Sequence, residues 1–448
     1  MKKLSFKETI FVASMLFGMF FGAGNLIFPV SMGQMAGDHI WLAALGFLVT
    51  GVGLPLLGVA ALGISRETGL LGLASRIGKN YGVFFTCALY LTIGPFFAIP
   101  RCASVSYTVG IERILEGQDQ TLWLAVFSFL FFAIVLFFSL RPGEILTWIG
   151  KVLNPSFLVI LGLLVVVALI SPMGDPMTMA PEEGYESGAL FTGFLEGYNT
   201  MDALAALAFG IVVIEVIRGL GVEQPGQIAK DTVKAGIFSS ILMAVIYVLV
   251  TLVGGQSRGE FGISSNGGEG LALIADHYFG GAGMFILALM VTLACLKTAI
   301  GLITSCSETF SEMFPKSPGY RFWAVLFSVV SFLIANLGLN AIVAYSVPVL
   351  MFLYPLAIVL VLLTLFGSWF DNNRHVLRWT IAFTAVAALA DFLRALPEGT
   401  QDALHTAPVT DMLGNVIPLS ELGFGWIVPA AVGFVIGLIA SRRHGAEK

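Results

Sequence analysis

The sequence predicts an all-α integral membrane protein with twelve transmembrane helices, and two of its properties lead to that prediction. Of its 448 residues, 57% are hydrophobic and only 11% are charged, whereas soluble proteins are about 25% charged. Uncharged segments long enough to cross a bilayer also follow one another along the whole chain. This composition excludes a soluble enzyme, a secreted domain, a nucleic-acid-binding protein and a disordered scaffold.

The individual spans follow from the distance that each helix must cross. About 20 mostly apolar residues are needed to cross about 30 Å of hydrocarbon. Seven uncharged segments satisfy this requirement, namely residues 9–37, 40–65, 80–100, 120–140, 152–174, 235–257 and 422–441. Residues 322–370 are too many for one crossing and are expected to form two spans that turn near residues 336–340. Three more spans contain one or two charged residues each, namely residues 189–214, 284–309 and 379–396.

The distribution of Lys and Arg supports this count and orients the chain. If the N-terminus is cytoplasmic, the outer loops hold only Arg113, Arg258 and Arg394, while Arg101 and Lys297 fall within spans. The remaining 18 of the 23 basic residues then lie in cytoplasmic segments: Lys2, Lys3, Lys7, Arg66, Arg76, Lys79, Arg141, Lys151, Arg218, Lys230, Lys234, Lys316, Arg321, Arg374, Arg378, Arg442, Arg443 and Lys448. Since cytoplasmic loops are enriched in Lys and Arg, both termini are predicted to be cytoplasmic. The basic N-terminal segment is expected to precede a retained span rather than to be a signal peptide.

Features expected of other classes of membrane protein are missing from the sequence. It contains no G-x-x-x-x-G-K-[ST] phosphate-binding motif and no long polar segment. Any transport is therefore expected to be driven by a gradient, without an ATPase subunit. The four cysteines lie within predicted spans without metal-ligand spacing, and the five histidines lie in loops or in the tail. A membrane-embedded enzyme is therefore the less favoured alternative.

Two predicted spans contain residues that interrupt a helix near the middle of the bilayer. The first span contains Gly22-Ala-Gly-Asn25 followed by Pro29, and the sixth contains Gly197-Tyr-Asn-Thr200 followed by Asp202. Glycine and proline loosen or break helices, although small residues also permit close helix packing. A matched pair of interrupted spans is typical of the binding site of a secondary transporter.

Matched breaks in spans one and six predict two inverted repeats of five spans each. The single transporter domain would then comprise residues 8–170 and 189–368 as repeats, followed by helices 11 and 12 over residues 378–441. An unwound segment exposes N–H groups that suit a carboxylate and carbonyl groups that suit a small cation. Aromatic residues such as Phe96 could line an apolar pocket beside the breaks or could simply pack. Together these features favour a small zwitterion with an apolar side chain as the substrate.

Charged residues inside the spans are candidates for ion coupling, because a buried charge costs about 2.5–3.5 kcal/mol even on insertion scales. Lys297 lies in the middle of the eighth span, where it could pair with Asp202 or Glu196, replace a metal cation, or face a water-filled vestibule. The adjacent Thr298 hydroxyl could bind a cation or could donate to the carbonyl four residues earlier. Arg101 follows a predicted kink and could gate the outer vestibule or extend its charge to the interface.

These motifs resemble the bacterial branched-chain amino acid:cation symporters from about Lys7 to the last span. The resemblance is carried by Gly22-Ala-Gly-Asn-Leu-Ile-Phe-Pro29, Thr92-Ile-Gly-Pro-Phe-Phe-Ala-Ile-Pro-Arg101, Gly197-Tyr-Asn-Thr-Met-Asp202, Ala294-Cys-Leu-Lys-Thr-Ala-Ile-Gly301, Asn336-Leu-Gly338 and Ser346-Val-Pro-Val-Leu350. It implies a bacterial inner-membrane protein that imports leucine, isoleucine and valine, with Na+ or H+ as the coupling ion and no other cofactor. It also implies a leucine transporter-like fold with broken helices 1 and 6, a five-plus-five inverted repeat and two extra C-terminal helices.

The resemblance also implies particular site residues. Those that would contact the amino and carboxylate groups of the substrate are Gly22, Ala23, Gly24, Asn25, Tyr198, Asn199 and Thr200. A sodium ion would bind between the carbonyl groups of Gly18 and Phe21 and the hydroxyl of Thr298. Asp202 and Lys297 would take part in cation binding or coupling.

Lys297 departs from the family pattern, in which this position often carries a hydroxyl or an apolar side chain. A positive charge here repels a nearby sodium ion. Lys297 therefore favours proton coupling, or exchange without ion coupling, as alternatives to sodium symport. A second departure is Val30, which stands where the family often has a second proline, and it is expected to have little effect.

Overall fold

The structure is a computed structural model that describes residues 2–65, 67, 69–113, 115, 117–141, 154–406, 408, 410 and 417–445. The chain is predominantly helical in these ranges and forms no strand within them. The helices are α1 Phe6–Phe20, α2 Gly24–Ala36, α3 Ile40–Leu48, α4 Leu54–Ser65, α5 Leu70–Ser75, α6 Lys79–Leu91, α7 Ala98–Tyr107, α8 Gln120–Ser139, α9 Asn154–Ile170, α10 Ala189–Glu196, α11 Asp202–Gly219, α12 Pro225–Phe261, α13 Gly267–Met313, α14 Tyr320–Ala335, α15 Leu339–Leu365, α16 Arg374–Arg394, α17 Glu398–Leu404 and α18 Ile427–Gly445. Arg66, Lys151, Val152 and Lys448, which contributed to the predicted spans and orientation, lie outside the described residues.

Many of these helices are apolar enough to cross a membrane. Within the described residues, seven helical segments are long and apolar enough, namely Gly24–Ser65, Lys79–Glu112, Gln120–Ser139, Pro225–Phe261, Gly267–Met313, Leu339–Leu365 and Arg374–Arg394. Shorter apolar helices occupy Phe157–Ile170, Tyr320–Ala335 and Ile427–Arg442. The chain is therefore an all-α, multi-pass membrane protein, as its composition predicted.

Both predicted helix breaks are present. Residues 21–23 separate α1 from α2, and a 3-10 turn over Gly197–Thr200 followed by Met201 separates α10 from α11. Met201 has a left-handed backbone with φ of 62°, a conformation that is uncommon for a residue other than glycine. Such strained backbone is maintained only where the surrounding structure enforces it, and it occurs preferentially at functional sites.

The third span is longer than the uncharged segment that predicted it. α6 leads through an irregular turn at Thr92–Phe96 into α7, and helical structure continues to Glu112. Gly94 has non-helical backbone angles and is followed by Pro95, so the predicted kink is present. The uncharged segment used to locate this span ends at Pro100, next to the charge of Arg101. This side chain is instead buried inside the protein.

Close backbone contacts hold α2, the helix that follows the first break. α2 packs against α12 and α13. A Cβ atom at Gly33 would lie 2.0 Å from the carbonyl oxygen of Thr251, and one at Gly254 would lie 2.4 Å from the carbonyl oxygen of Val30. Glycines at such positions let the backbones of membrane helices approach each other. The first break is therefore anchored on its α2 side by direct contact with α12.

Candidate functional site

The two breaks meet at a small buried cavity of about 30 Å³. Its polar and small lining residues come from both breaks, from α7 and from α13, and include Gly22, Ala23, Gly24, Asn25, Arg101, Thr200, Asp202 and Thr298. Apolar residues, including Ile93, Phe209 and Leu302, form the rest of the wall. A space of this size suits a water-sized molecule. A larger ligand therefore requires the surrounding helices to separate.

Asn25 links the two breaks through its side-chain amide. Its Oδ1 accepts a hydrogen bond from the backbone N–H of Gly22 at 2.8 Å, within the unwound segment. Its Nδ2 donates to Oδ2 of Asp202 at 2.6 Å and also to the hydroxyl of Tyr247. All of these groups are buried. Asn25 therefore sets the shape of the first break and its position relative to the second.

Asp202 presents a buried carboxyl group at the start of α11. The hydroxyl of Tyr247 donates to its Oδ2 at 2.7 Å. The backbone N–H of Asp202 donates to Oγ1 of Thr200 at 3.3 Å. A carboxyl group removed from water needs such donors, and the positive end of the α11 dipole also stabilises its charged form. The second break thus supplies an acidic group to the cavity wall.

Arg101 is a second ionisable side chain at the cavity, and the sequence did not assign it to the substrate site. It is only 3% exposed, and its Nη1 donates to the backbone carbonyl of Asn199 at 2.7 Å. Its guanidinium carbon lies 5.0 Å from the ring centroid of Phe28. A Cβ atom at Gly24 would lie 2.8 Å from Nη2, so the missing side chain at Gly24 makes room for the guanidinium. The kink predicted before Arg101 was the sequence signal that could have placed this side chain inside the helical bundle.

The residues predicted to bind sodium lie close to the first break. A Cβ atom at Gly22 would lie 3.4 Å from Cγ2 and 3.5 Å from Oγ1 of Thr298. The Thr298 hydroxyl donates to the carbonyl oxygen of Ala294 at 3.2 Å, which is the alternative considered from the sequence. Gly18 lies in the last turn of α1, and Phe21 directly follows that helix. Sodium binding by this group of residues stays a prediction.

Six predicted site residues are not among those that line the cavity, namely Gly18 and Phe21, described above, and the four that follow. Lys297 is partly buried on α13, and the side chain of Phe96 is 40% exposed. Tyr198 is buried, and its ring stacks on that of Tyr354 with 3.9 Å between the centroids. Asn199 contributes the backbone carbonyl that accepts from the guanidinium, as described above. Direct contact between these four residues and substrate or ion stays a prediction.

A second cavity, of about 340 Å³, has a more polar lining. It lies between the end of the third span, the start of α8, the start of α13 and the turn between α14 and α15. Its polar residues include Tyr107, Glu112, Gln120, Asn266, Asn336 and Asn340, and it shares no lining residue with the first cavity. The candidate site is assigned to the smaller cavity because both helix breaks converge there.

Two interrupted helices that meet at a small cavity, within a multi-pass helical bundle, are typical of the binding site of a secondary membrane transporter. A family described as "Branched-chain amino acid transport protein" matches residues 5–444. The chain is 52% identical to the branched-chain amino acid permease BrnQ of Lactobacillus delbrueckii subsp. lactis, over 99% of both chains. It is 42% identical to BrnQ of Bacillus subtilis, over 98% of both chains. The protein therefore belongs to the branched-chain amino acid transport protein family, whose members are permeases rather than enzymes.

Two solved transporter structures have a similar fold. The nucleobase-cation-symport-1 family transporter Mhp1, in a closed conformation with bromovinylhydantoin bound, matches with a TM-score of 0.63 over 98% of this chain and 92% of that chain. MhsT in complex with L-phenylalanine matches with a TM-score of 0.57 over 98% of this chain and all of that chain. The sequence identities are 15% and 16%, so these likenesses concern the fold alone. They support the leucine transporter-like fold that the motifs implied.

Proposed function

We propose that this protein is a secondary active transporter that imports leucine, isoleucine and valine together with a cation, by alternating access. Its relatives are named branched-chain amino acid permeases, which supports the substrate class. The assignment of the site rests on the hydrogen bonds of the Asn25 side chain. This side chain joins the unwound first break to the Asp202 carboxyl group of the second. One buried cavity thus offers backbone groups, an amide and a carboxyl group to a small zwitterion.

The proposed topology has twelve spans and two inverted repeats, in the bacterial inner membrane. The first repeat comprises residues 8–170, in which α1–α2, α3–α4, α6–α7, α8 and α9 each form one span. The second comprises residues 189–368, in which α10–α11, α12, α13, α14 and α15 form the spans, and helices 11 and 12 occupy residues 378–441. The concentration of Lys and Arg in alternate loops supports cytoplasmic termini.

The substrate is proposed to bind between the two breaks. The first turn of α2 presents backbone N–H groups of the kind that bind carboxylates, next to Gly22, Ala23, Gly24 and Asn25. The second break contributes Tyr198, Asn199 and Thr200. The apolar wall of the cavity suits a branched aliphatic side chain, and Phe96 is proposed to complete that wall when the helices move apart. A bulkier residue at a break would occupy the substrate space.

The coupling ion is proposed to be Na+ or H+. Sodium would bind near the carbonyl groups of Gly18 and Phe21 and the hydroxyl of Thr298, which packs against the first break. The alternative, a proton, is suggested by the buried Asp202 carboxyl group and by Lys297, whose positive charge opposes sodium. A protein that requires neither ion would exchange amino acids without coupling.

The decisive experiment is the uptake of labelled leucine into proteoliposomes under separately imposed sodium and proton gradients. Accumulation above equilibrium with one gradient identifies the coupling ion. Uptake that occurs only into vesicles preloaded with leucine would establish the uncoupled exchanger instead. Gly22→Val should abolish leucine binding by filling the break. Gly301→Val should preserve it, because a Cβ atom at Gly301 would meet no described atom within 4 Å apart from its own local helix backbone. Intact uptake by Gly22→Val would refute the site assignment.

A further inference from the structure

The guanidinium group of Arg101 has more hydrogen-bond donors than its surroundings use. A guanidinium has five N–H donors in a planar fork. In this structure Nη1 donates to the Asn199 carbonyl, while Nε is buried and finds no acceptor among the described residues. Nη2 lies beside Gly24, at the start of α2. The group lines the cavity between the breaks, so its remaining donors are available at the candidate substrate site.

Among the residues that the structure describes, Arg101 also has no counter-ion within salt-bridge distance. Among the described residues, the salt bridges within 4 Å involve other arginines and His39, and none includes Arg101. A buried charge is normally paired, because its removal from water is unfavourable. The carbonyl of Asn199 and the ring of Phe28 supply only partial compensation. An anion that enters this cavity would supply the missing partner.

The acidic group of the cavity, Asp202, belongs to the second break, whose Asn199 carbonyl accepts from the guanidinium. Asp202 and Arg101 both line the cavity, and no salt bridge within 4 Å joins them in the described part of the chain. Oδ2 of Asp202 instead accepts from Asn25 and Tyr247. The cavity therefore offers both a cationic and an acidic side chain, which is a charge pattern that complements a zwitterion.

We propose that the guanidinium of Arg101 binds the carboxylate of the amino-acid substrate, while Asp202 lies on the side of the substrate ammonium group. This inference rests on the proposed function and names the group that recognises one end of the substrate. Arg and carboxylate form paired, charge-assisted hydrogen bonds in one plane. Nη1 can keep its bond to Asn199 while Nε and Nη2 meet the ligand. The chain then accepts amino acids with a free carboxylate and rejects amides and amines of the same shape.

Competition binding with purified protein in detergent tests this proposal. The carboxylate is removed from the ligand in one set of measurements, and the guanidinium is removed from the protein in another. Labelled leucine is displaced by leucine, leucinamide or 3-methylbutylamine, of which the last two lack the carboxylate. The wild-type protein should bind leucine at least about 30-fold more tightly than leucinamide, since truncating one partner of a buried charge pair has at least that effect. Equal binding of leucine and leucinamide by the wild-type protein would overturn the proposal without any mutation.

The variants separate recognition from folding. Arg101→Gln should weaken leucine binding about 30-fold or more but change leucinamide binding less than about 3-fold, so that the preference is lost. Gly24→Ala keeps the charge but places a Cβ atom 2.8 Å from Nη2, and should reduce the same preference. The control is Arg113→Gln. Arg113 does not line the cavity, and its Nη2 lies 3.1 Å from Oδ2 of Asp276. Its substitution should leave the preference for leucine over leucinamide unchanged.

The possible outcomes distinguish this proposal from the function on which it rests. A monodisperse Arg101→Gln protein that still prefers leucine over leucinamide by the wild-type ratio would refute the carboxylate role while leaving the transporter intact. If Arg101→Gln does not fold, the Gly24→Ala protein provides the test. A folded Gly24→Ala protein that keeps the wild-type preference for leucine over leucinamide would also refute the role of Arg101 in binding the carboxylate. A wild-type protein that binds no leucine would overturn both the proposed function and this inference.

Discussion

Replacing Tyr247 by phenylalanine tests whether the hydrogen bonds between the two breaks hold the binding site together. The hydroxyl of Tyr247 donates to Asp202 at 2.7 Å and accepts from Asn25. The substitution removes only this oxygen, because the ring can keep its edge-on contact with Phe47, at 5.1 Å between the centroids. Any effect therefore reports on the polar network rather than on core packing.

The expected loss of leucine affinity follows from Asp202, because its carboxyl group loses the Tyr247 hydroxyl as a hydrogen-bond donor. A hydrogen bond to a charged group contributes about 1.5–3 kcal/mol, and each 1.4 kcal/mol is about tenfold in an equilibrium constant. If the Tyr247 bond is what orients Asp202 and Asn25 for the substrate, Tyr247→Phe should weaken leucine binding about 10- to 150-fold. The apparent thermal midpoint in detergent should also fall, since a buried carboxyl group loses one of its donors.

The assay is leucine binding to purified protein, with a thermal denaturation curve for each variant at one heating rate. Tyr81→Phe is the matched control, because the Tyr81 hydroxyl is also buried but has no hydrogen-bond partner among the described residues. It should leave leucine affinity unchanged and should leave the midpoint unchanged or raise it. Indistinguishable behaviour of Tyr247→Phe and Tyr81→Phe would refute the idea that this network supports the site.

Two further substitutions test the second break and ion selectivity. Gly197→Ala places a Cβ atom 1.8 Å from Oγ1 of Thr50, so it should destabilise the protein by about 3 kcal/mol. Adding Thr50→Ala to the same chain should restore part of that stability. If the two substitutions destabilise the protein additively in thermal unfolding, the clash is contradicted. Lys297→Thr should increase the dependence of leucine uptake on sodium, because it removes a positive charge next to Thr298, and an unchanged ion profile in proteoliposomes would give Lys297 a structural role.

The general architecture could be predicted from the sequence because the bilayer imposes it. A span must be about 20 apolar residues long, and backbone groups in lipid must be satisfied within a helix, so composition alone indicates a helical multi-pass protein. The breaks were also predictable, since glycine, asparagine and proline inside an apolar segment are local signals. Both breaks occur where those residues stand, between α1 and α2 and between α10 and α11.

The partners across the cavity could not be predicted, because they are far apart in the chain. Asn25 is separated by 177 positions from Asp202 and by 222 positions from Tyr247. Tyr247 lies in an unbroken apolar span and carries no local sign of function. Only the packing of α12 against α2 brings its hydroxyl to the first break. Sequence patterns locate elements, whereas this network depends on how three helices cross.

Intramembrane charges show the same distinction between local signal and three-dimensional position. Lys297 and Thr298 are adjacent on α13, and neighbouring residues of an α-helix point about 100° apart. Thr298 packs against Gly22 at the cavity, so Lys297 points in a different direction and does not line it. Its charge can still act there, since two charges about 8 Å apart interact by about 2 kcal/mol at an effective dielectric constant of about 20. Lys297 would therefore act on a bound cation only through its field, whereas Arg101 and Asp202 line the cavity directly.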